Sequence, residues 1–188
     1  MTVAPVHDLS AFFSAEVDRA SARCGLDASP AVRSYLAGVL AARATATRAA
    51  PRSIVLWLDQ ALAQHGALQQ AELRALGEHA LCTRGFFRAY AAPEDAVYIR
   101  VGAFAFDRAG ALAERRDNGA DAALLRELSQ RFVPVSDMLT EVAVASSLGS
   151  VVRDLVALHD AWRQARSPSA LEALSRAGLS PCSEEGDA

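Results

Sequence analysis

His79 and Cys82 stand three residues apart, which on a helix turns both side chains toward one site, and Glu72 lies two turns earlier on a similar face. Imidazole, thiolate and carboxylate together form a transition-metal or haem donor set. A structural metal site needs more His or Cys nearby, however, and neither His-Glu-x-x-His nor the paired Glu-x-x-His of di-iron bundles occurs. His79 therefore reads first as a polar residue at the edge of a core, and Cys82 as a small buried hydrophobe. His159 and Asp160, near Trp162, suggest acid/base work. Neighbours on a helix point in different directions, though, so a hydrogen-bonded dyad would need distortion, and a solvated helix face accounts for them. The turn Ser146-Ser147-Leu148-Gly149-Ser150 lacks the Gly-x-Ser-x-Gly elbow of a nucleophilic serine. These patterns assign no catalytic residue and no cofactor, and they lean away from an enzyme.

A second kind of chemistry is binding. Half of the chain's aromatics (seven Phe, three Tyr, two Trp) fall in one stretch, Phe86, Phe87, Tyr90, Tyr98, Phe104 and Phe106, together with Gly85, Pro93, Arg100 and Gly102. Aromatic rings bury the most apolar area per residue, and Gly and Pro fix where the backbone turns or approaches closely, so this stretch reads as the structural centre. Arg100 either reaches solvent along its alkyl stem or pairs with a carboxylate such as Glu94 or Asp107. Turned into a pocket, it would hold an anion. A pocket walled by Tyr35, Phe86, Phe87, Tyr98 and Phe104, with Arg100 or His79 as its polar handle, is the ligand-binding expectation, for a hydrophobic or anionic ligand with haem among the options.

The elements that must position these residues are helices. Ser10 is a capping residue for a first helix through Phe13, Val17 and Ala20, stopped at Cys24-Gly25. Ser29-Pro30 is a start signal, and Val32, Tyr35, Leu36, Val39 and Leu40 then repeat at helical spacing. Ser53 opens a third helix with a stripe of Ile54, Leu58, Ala61 and Leu62, flanked by Trp57 and ended by His65-Gly66. A fourth runs through Leu68, Leu73, Leu76 and Ala80 to about Thr83, paired with the third as a hairpin. Gly85 to Pro93 reads as a packed turn, and a helix from about Glu94 to Arg115 follows, with a short strand at Val97 to Val101 as the alternative. After the Arg115 to Gly119 loop, with Asp121 as the cap, helical spacing continues from Ala122 to Ser147 across Pro134, which predicts one helix kinked at that proline. A further long helix carries Val152, Leu155, Val156, Leu158 and Trp162, and Ser167-Pro168 starts a short last one. The expectation is an all-α, antiparallel bundle of about seven to eight helices: residues 1–7 a flexible N-terminus, 8–180 one domain, and 181–188 a disordered acidic tail.

Composition narrows the function classes. All 19 basic residues are Arg, so no Schiff-base or phosphate-loop lysine exists. The net charge of -3, with Arg scattered singly, argues against a nucleic-acid partner. Three unpatterned cysteines fit a reducing cytoplasm rather than a disulfide framework. No apolar run is long enough to span a membrane, and the first eight residues carry no export pattern.

The run Leu81-Cys82-Thr83-Arg84-Gly85-Phe86-Phe87, followed by Val97-Tyr98-Ile99-Arg100-Val101-Gly102-Ala103-Phe104-Ala105-Phe106, resembles a group of uncharacterised bacterial all-helical proteins of about this length. Their pattern is a Gly-Phe-Phe ending to an apolar stretch, then Tyr-Tyr-Ile and a glycine-centred helix. Val97 stands here where that group tends to have a first tyrosine, and Phe106 where it tends to have another. Arg131-Phe132-Val133-Pro134-Val135-Ser136-Asp137-Met138-Leu139 and Leu158-His159-Asp160-Ala161-Trp162 look like the group's downstream blocks. The resemblance implies a bacterial helical domain and transfers no functional residue.

The primary expectation is a non-enzymatic cytoplasmic interaction or regulatory module that docks a protein partner or a second copy of itself, the homodimer forming through a terminal helix.

Overall fold

A computed structural model describes residues 9–45, 53–86 and 94–145. The chain divides into two compact units, residues 1–143 and 144–188. The described residues lie in the first, except for Val144 and Ala145 at the end of a helix. The expected N-terminal tail, the helices after Gly149 and the acidic tail lie outside the described residues, as do Phe87 and the rest of the turn to Pro93.

Every described element is helical: α1 (Leu9–Cys24), α2 (Pro30–Thr45), α3 (Ile54–Ala63), α4 (Gly66–Phe86), α5 (Asp95–Glu114), α6 (Gly119–Gln130) and α7 (Phe132–Ala145). The fold is an all-α bundle, and no strand occurs among the described residues, so Val97 to Val101 is helical. There the aromatic and β-branched residues are recruited by packing, which overrides their strand propensity.

The end signals hold in part. Gly25 turns the chain out of α1 with a φ of 61°. The Ser29 hydroxyl accepts from the Val32 N–H at 3.2 Å ahead of Pro30, and the Ser29 N–H itself donates to Glu127 at 2.9 Å, tying the start of α2 to α6. Other ends move. α1 already begins at Leu9, ahead of Ser10. Asn118, not Asp121, caps α6, its side chain accepting from the Asp121 N–H. Gly66 is the first residue of α4 rather than the stop of α3, which ends at Ala63. α4 runs on through Gly85 and Phe86, three residues past the expected end, because Gly85 sits against Leu139 and its carbonyl accepts from the Thr140 hydroxyl at 2.9 Å. That bond satisfies one of the carbonyls a helix C-terminus leaves open.

The kinked helix across Pro134 is two helices. α6 stops at Gln130, Arg131 leaves helical geometry at φ -110° and ψ 25°, and α7 restarts at Phe132. A proline ring clashes with the carbonyl four residues back, here Gln130, so the bend falls before Pro134, which then sits in a first helical turn where its missing N–H costs nothing.

The core is organised around α5, which packs antiparallel to α4 and to α6. Phe106 is fully buried, its ring 6.3 Å from that of Phe132. Each ring rests on a glycine. A Cβ at Gly77 of α4 would lie 2.8 Å from Phe106, and one at Gly102 of α5 would meet the Phe132 ring and, at 2.8 Å, Ala80. Leu73, Leu76, Leu81, Leu125, Leu128, Met138 and Leu139 are among the other fully buried side chains. The α1–α2 hairpin joins the bundle through α2 and α6.

Candidate functional site

The residues expected to wall one pocket are distributed over different faces. Tyr98 is buried on the core side of α5, whereas Arg100 is exposed and Phe104 is 45% exposed on the outer side of the same helix. At 100° per residue, Tyr98 and Arg100 differ by 200°, so one cavity cannot take both. Arg100 pairs with neither Glu94 nor Asp107; its Nε donates to the Ala96 carbonyl of its own helix at 3.4 Å. Phe86 is half-buried against the core at the end of α4. Phe87 lies outside the described residues.

Tyr35 belongs to a polar network instead. Its hydroxyl donates to Glu78 and accepts from Arg74 Nε at 3.0 Å, and the Arg74 guanidinium lies 4.9 Å from the tyrosine ring centre. Arg74 then grips both carboxylate oxygens of Asp121, at 3.0 and 3.2 Å, and Gln70 donates to the same carboxylate. Burial and the Glu78 carboxylate push the Tyr35 hydroxyl well above its ordinary range, so it stays a donor. The arrangement is saturated with partners and clamps α2, α4 and α6 together. A separate open cleft of about 510 Å³ is lined by residues that include Asp18, Ser21, Gly25, Leu26, Asp27 and Arg33, none of the expected aromatics. Arg33 is held across it by Asp18 at 3.0 Å.

His79 and Cys82 do share one side of α4, but each is engaged by packing. The His79 ring lies tilted 5.4 Å from Trp57, and Glu72 accepts from the Trp57 indole at 2.8 Å. Cys82 is buried, and burial pushes its thiol up to about 11, far from a thiolate at neutral pH. Among the described residues no three His, Cys, Asp or Glu side chains converge as a metal site requires.

Burial, assisted by the charge of Arg43, pulls His79 down to about 4 from 6.5. The folded protein thus keeps the ring neutral while the unfolded chain takes up a proton as pH drops below 6.5, so stability falls between pH 6.5 and 4 and levels off beneath. We expect a loss of about 2 kcal/mol over that window, reduced from the full linkage value because the ring keeps some solvent. Chemical denaturation of the wild type and of His79→Gln at pH 7.5 and 4.5 measures it. The variant should lose less stability on acidification, and equal losses would contradict the assignment.

The surface feature that the sequence pattern understates is α3. Only Ile54 and Ala61 of its ten residues are buried, with Trp57 and Leu58 partly so, while Val55 is 56% and Leu56 62% exposed. Leu62, expected on the inner stripe, faces out, and Leu68 at the start of α4 is also exposed. A stripe one side wide is all that contact with α4 and α5 can cover, and α3 is apolar around most of its circumference. The run Ile54-Val55-Leu56-Trp57-Leu58 without a charge was the signal available in the sequence.

No helix among the described residues is long and apolar enough to cross a membrane. No family model matches the chain, and no curated protein or solved structure matches it either.

Proposed function

We propose that this chain is a non-enzymatic, cytoplasmic protein-interaction module whose docking element is α3. The observation that carries the reading is the exposure of Val55, Leu56 and Leu62 on a helix with Asp59 as its one charge. A helix apolar around most of its circumference belongs in an interior, and one left at the surface is suited to lie in the apolar groove of another protein. The close seating of Phe106 and Phe132 on glycines supports the same choice over a pocket among the aromatics, since those rings fill the centre.

The test is a photo-reactive residue placed at Leu56 in the native host, with one at exposed Gln130 as control. A discrete heterologous adduct should form only from position 56. With that partner purified, Leu56→Asp should weaken binding at least about tenfold while leaving the helical circular dichroism intact. Equal adducts from both positions, or unchanged affinity in the variant, would sink the proposal.

A further inference from the structure

The outer side of α5 carries a charge order that is its own complement. Ala96, Arg100, Phe104, Asp107 and Ala111, spaced by four, four, three and four, fall within about 80° of one another around the helix. The first four are exposed, and Ala111 is half-exposed. Neither Arg100 nor Asp107 has an ion-pair partner among the described residues, and the Arg100 Nε donates to the Ala96 carbonyl of its own helix at 3.4 Å. From Ala96 to Ala111 the stripe reads in either direction small, charged, aromatic, charged, small, with the sign of charge inverted, and Glu114, in the same sector beyond Ala111, is paired with Arg126 at 2.9 Å.

We propose that this stripe is the twofold interface of a homodimer in which α5 pairs antiparallel with α5 of a second copy. A twofold axis through the midpoint between Ala103 and Phe104 places Arg100 opposite the second copy's Asp107, and Asp107 opposite its Arg100. The two Phe104 rings meet beside the axis, and Ala96 faces Ala111. Twofold interfaces must be self-complementary, and this register satisfies the requirement in charge and in size together. A parallel pairing would set Arg100 against Arg100.

The geometry is tolerant where it needs to be. Arg100 and Asp107 are about 10.5 Å apart along the helix, so each lies only about 5 Å from the crossing point. At usual crossing angles and axis separations of about 8–10 Å the helices have scarcely diverged there, and an Arg side chain spans the gap. Phe104 supplies the apolar burial, while the two ion pairs set orientation and register more than affinity. The dimer thus forms through a central helix rather than a terminal one, because α5 encloses the core with one side and leaves this stripe outside. This surface is distinct from the exposed residues of α3, and the pairing does not depend on the docking role of that helix.

The experiment is sedimentation equilibrium of the full chain across a concentration series up to about 200 µM, spanning the range of weak twofold dimers. The wild type should show a monomer–dimer equilibrium. Arg100→Asp and Asp107→Arg should each weaken it at least about tenfold, and the charge-swapped double variant should restore it to within about threefold of wild type. Phe104→Ser should abolish it, and Leu56→Asp should leave it unchanged. A monomer at all concentrations overturns the proposal, as does a dimer indifferent to the α5 charges or a swap that fails to rescue. A dimer lost only in Leu56→Asp would place self-association on α3 and overturn it equally. Should a charge reversal lose helicity, Arg100→Gln and Asp107→Asn give the same reading, with a smaller weakening expected for each.

Discussion

Phe106→Ala should lower the unfolding free energy by about 3–5 kcal/mol, measured by urea denaturation followed by circular dichroism. The ring is fully buried between Gly77 and Phe132, and the surroundings that would have to collapse into the vacated volume are backbone on one side and another ring on the other. Neither moves easily, which places the loss toward the upper part of that range, where a cavity persists. Phe104→Ala is the internal comparison. It removes the same side chain from the same helix two residues earlier, but Phe104 is 45% exposed, and its loss should cost less than about 1 kcal/mol. Equal losses for the two variants would mean that α5 is rotated so as to bury Phe104 as deeply as Phe106.

That contrast also marks what could be read in the sequence. Ser29-Pro30 and Cys24-Gly25 carry their information locally, in a hydroxyl that caps and a residue that tolerates positive φ, and both ends are found where the residues put them. The aromatic stretch is different. Grouping Tyr98, Arg100 and Phe104 into one pocket follows their proximity in the chain, whereas a helix separates near neighbours by 100° per residue and sends them to opposite sides. Angular bookkeeping alone would have placed Phe104 with Arg100 and Asp107 and away from Tyr98. The remaining differences are non-local. Gly85 continues a helix because Leu139 and Thr140, more than fifty positions later, pack and hydrogen-bond there. Tyr35 looks like a pocket residue until Arg74, Glu78 and Asp121 are brought beside it from two other helices. The outward turn of Leu62 depends on how little of α3 its neighbours can cover, which no local pattern contains.

Arg84 is the residue whose role was least legible and whose replacement should have the other large effect. Its side chain is 4% exposed near the end of α4, and its partners come from distant positions: Asp95 Oδ1 at the start of α5, 2.9 Å from Nε, and on α7 both Asp137, at 2.8 Å from Nη1, and the Ser136 hydroxyl. The Asp95 contact is an ion pair without hydrogen-bond alignment, since Nε and Oδ1 lack a bonded partner despite their closeness. Removing a buried charge from such a cluster costs about 3–5 kcal/mol where its partners stay buried. Here the Asp95 and Asp137 side chains are 35% and 45% exposed, so they recover hydration and the expected loss for Arg84→Ala drops to about 3 kcal/mol. Ser136 is fully buried but keeps its own bond to the Val133 carbonyl at 2.8 Å, so it adds little. Arg84→Met separates the two contributions, because it retains most of the alkyl packing while deleting the charge. A loss of about 1 kcal/mol for Met against about 3 for Ala would assign the larger share to packing in the α4–α5–α7 junction. Equal losses would assign it to the ion pairs, and stability within about 0.5 kcal/mol of wild type for Arg84→Ala would remove Arg84 from the junction altogether.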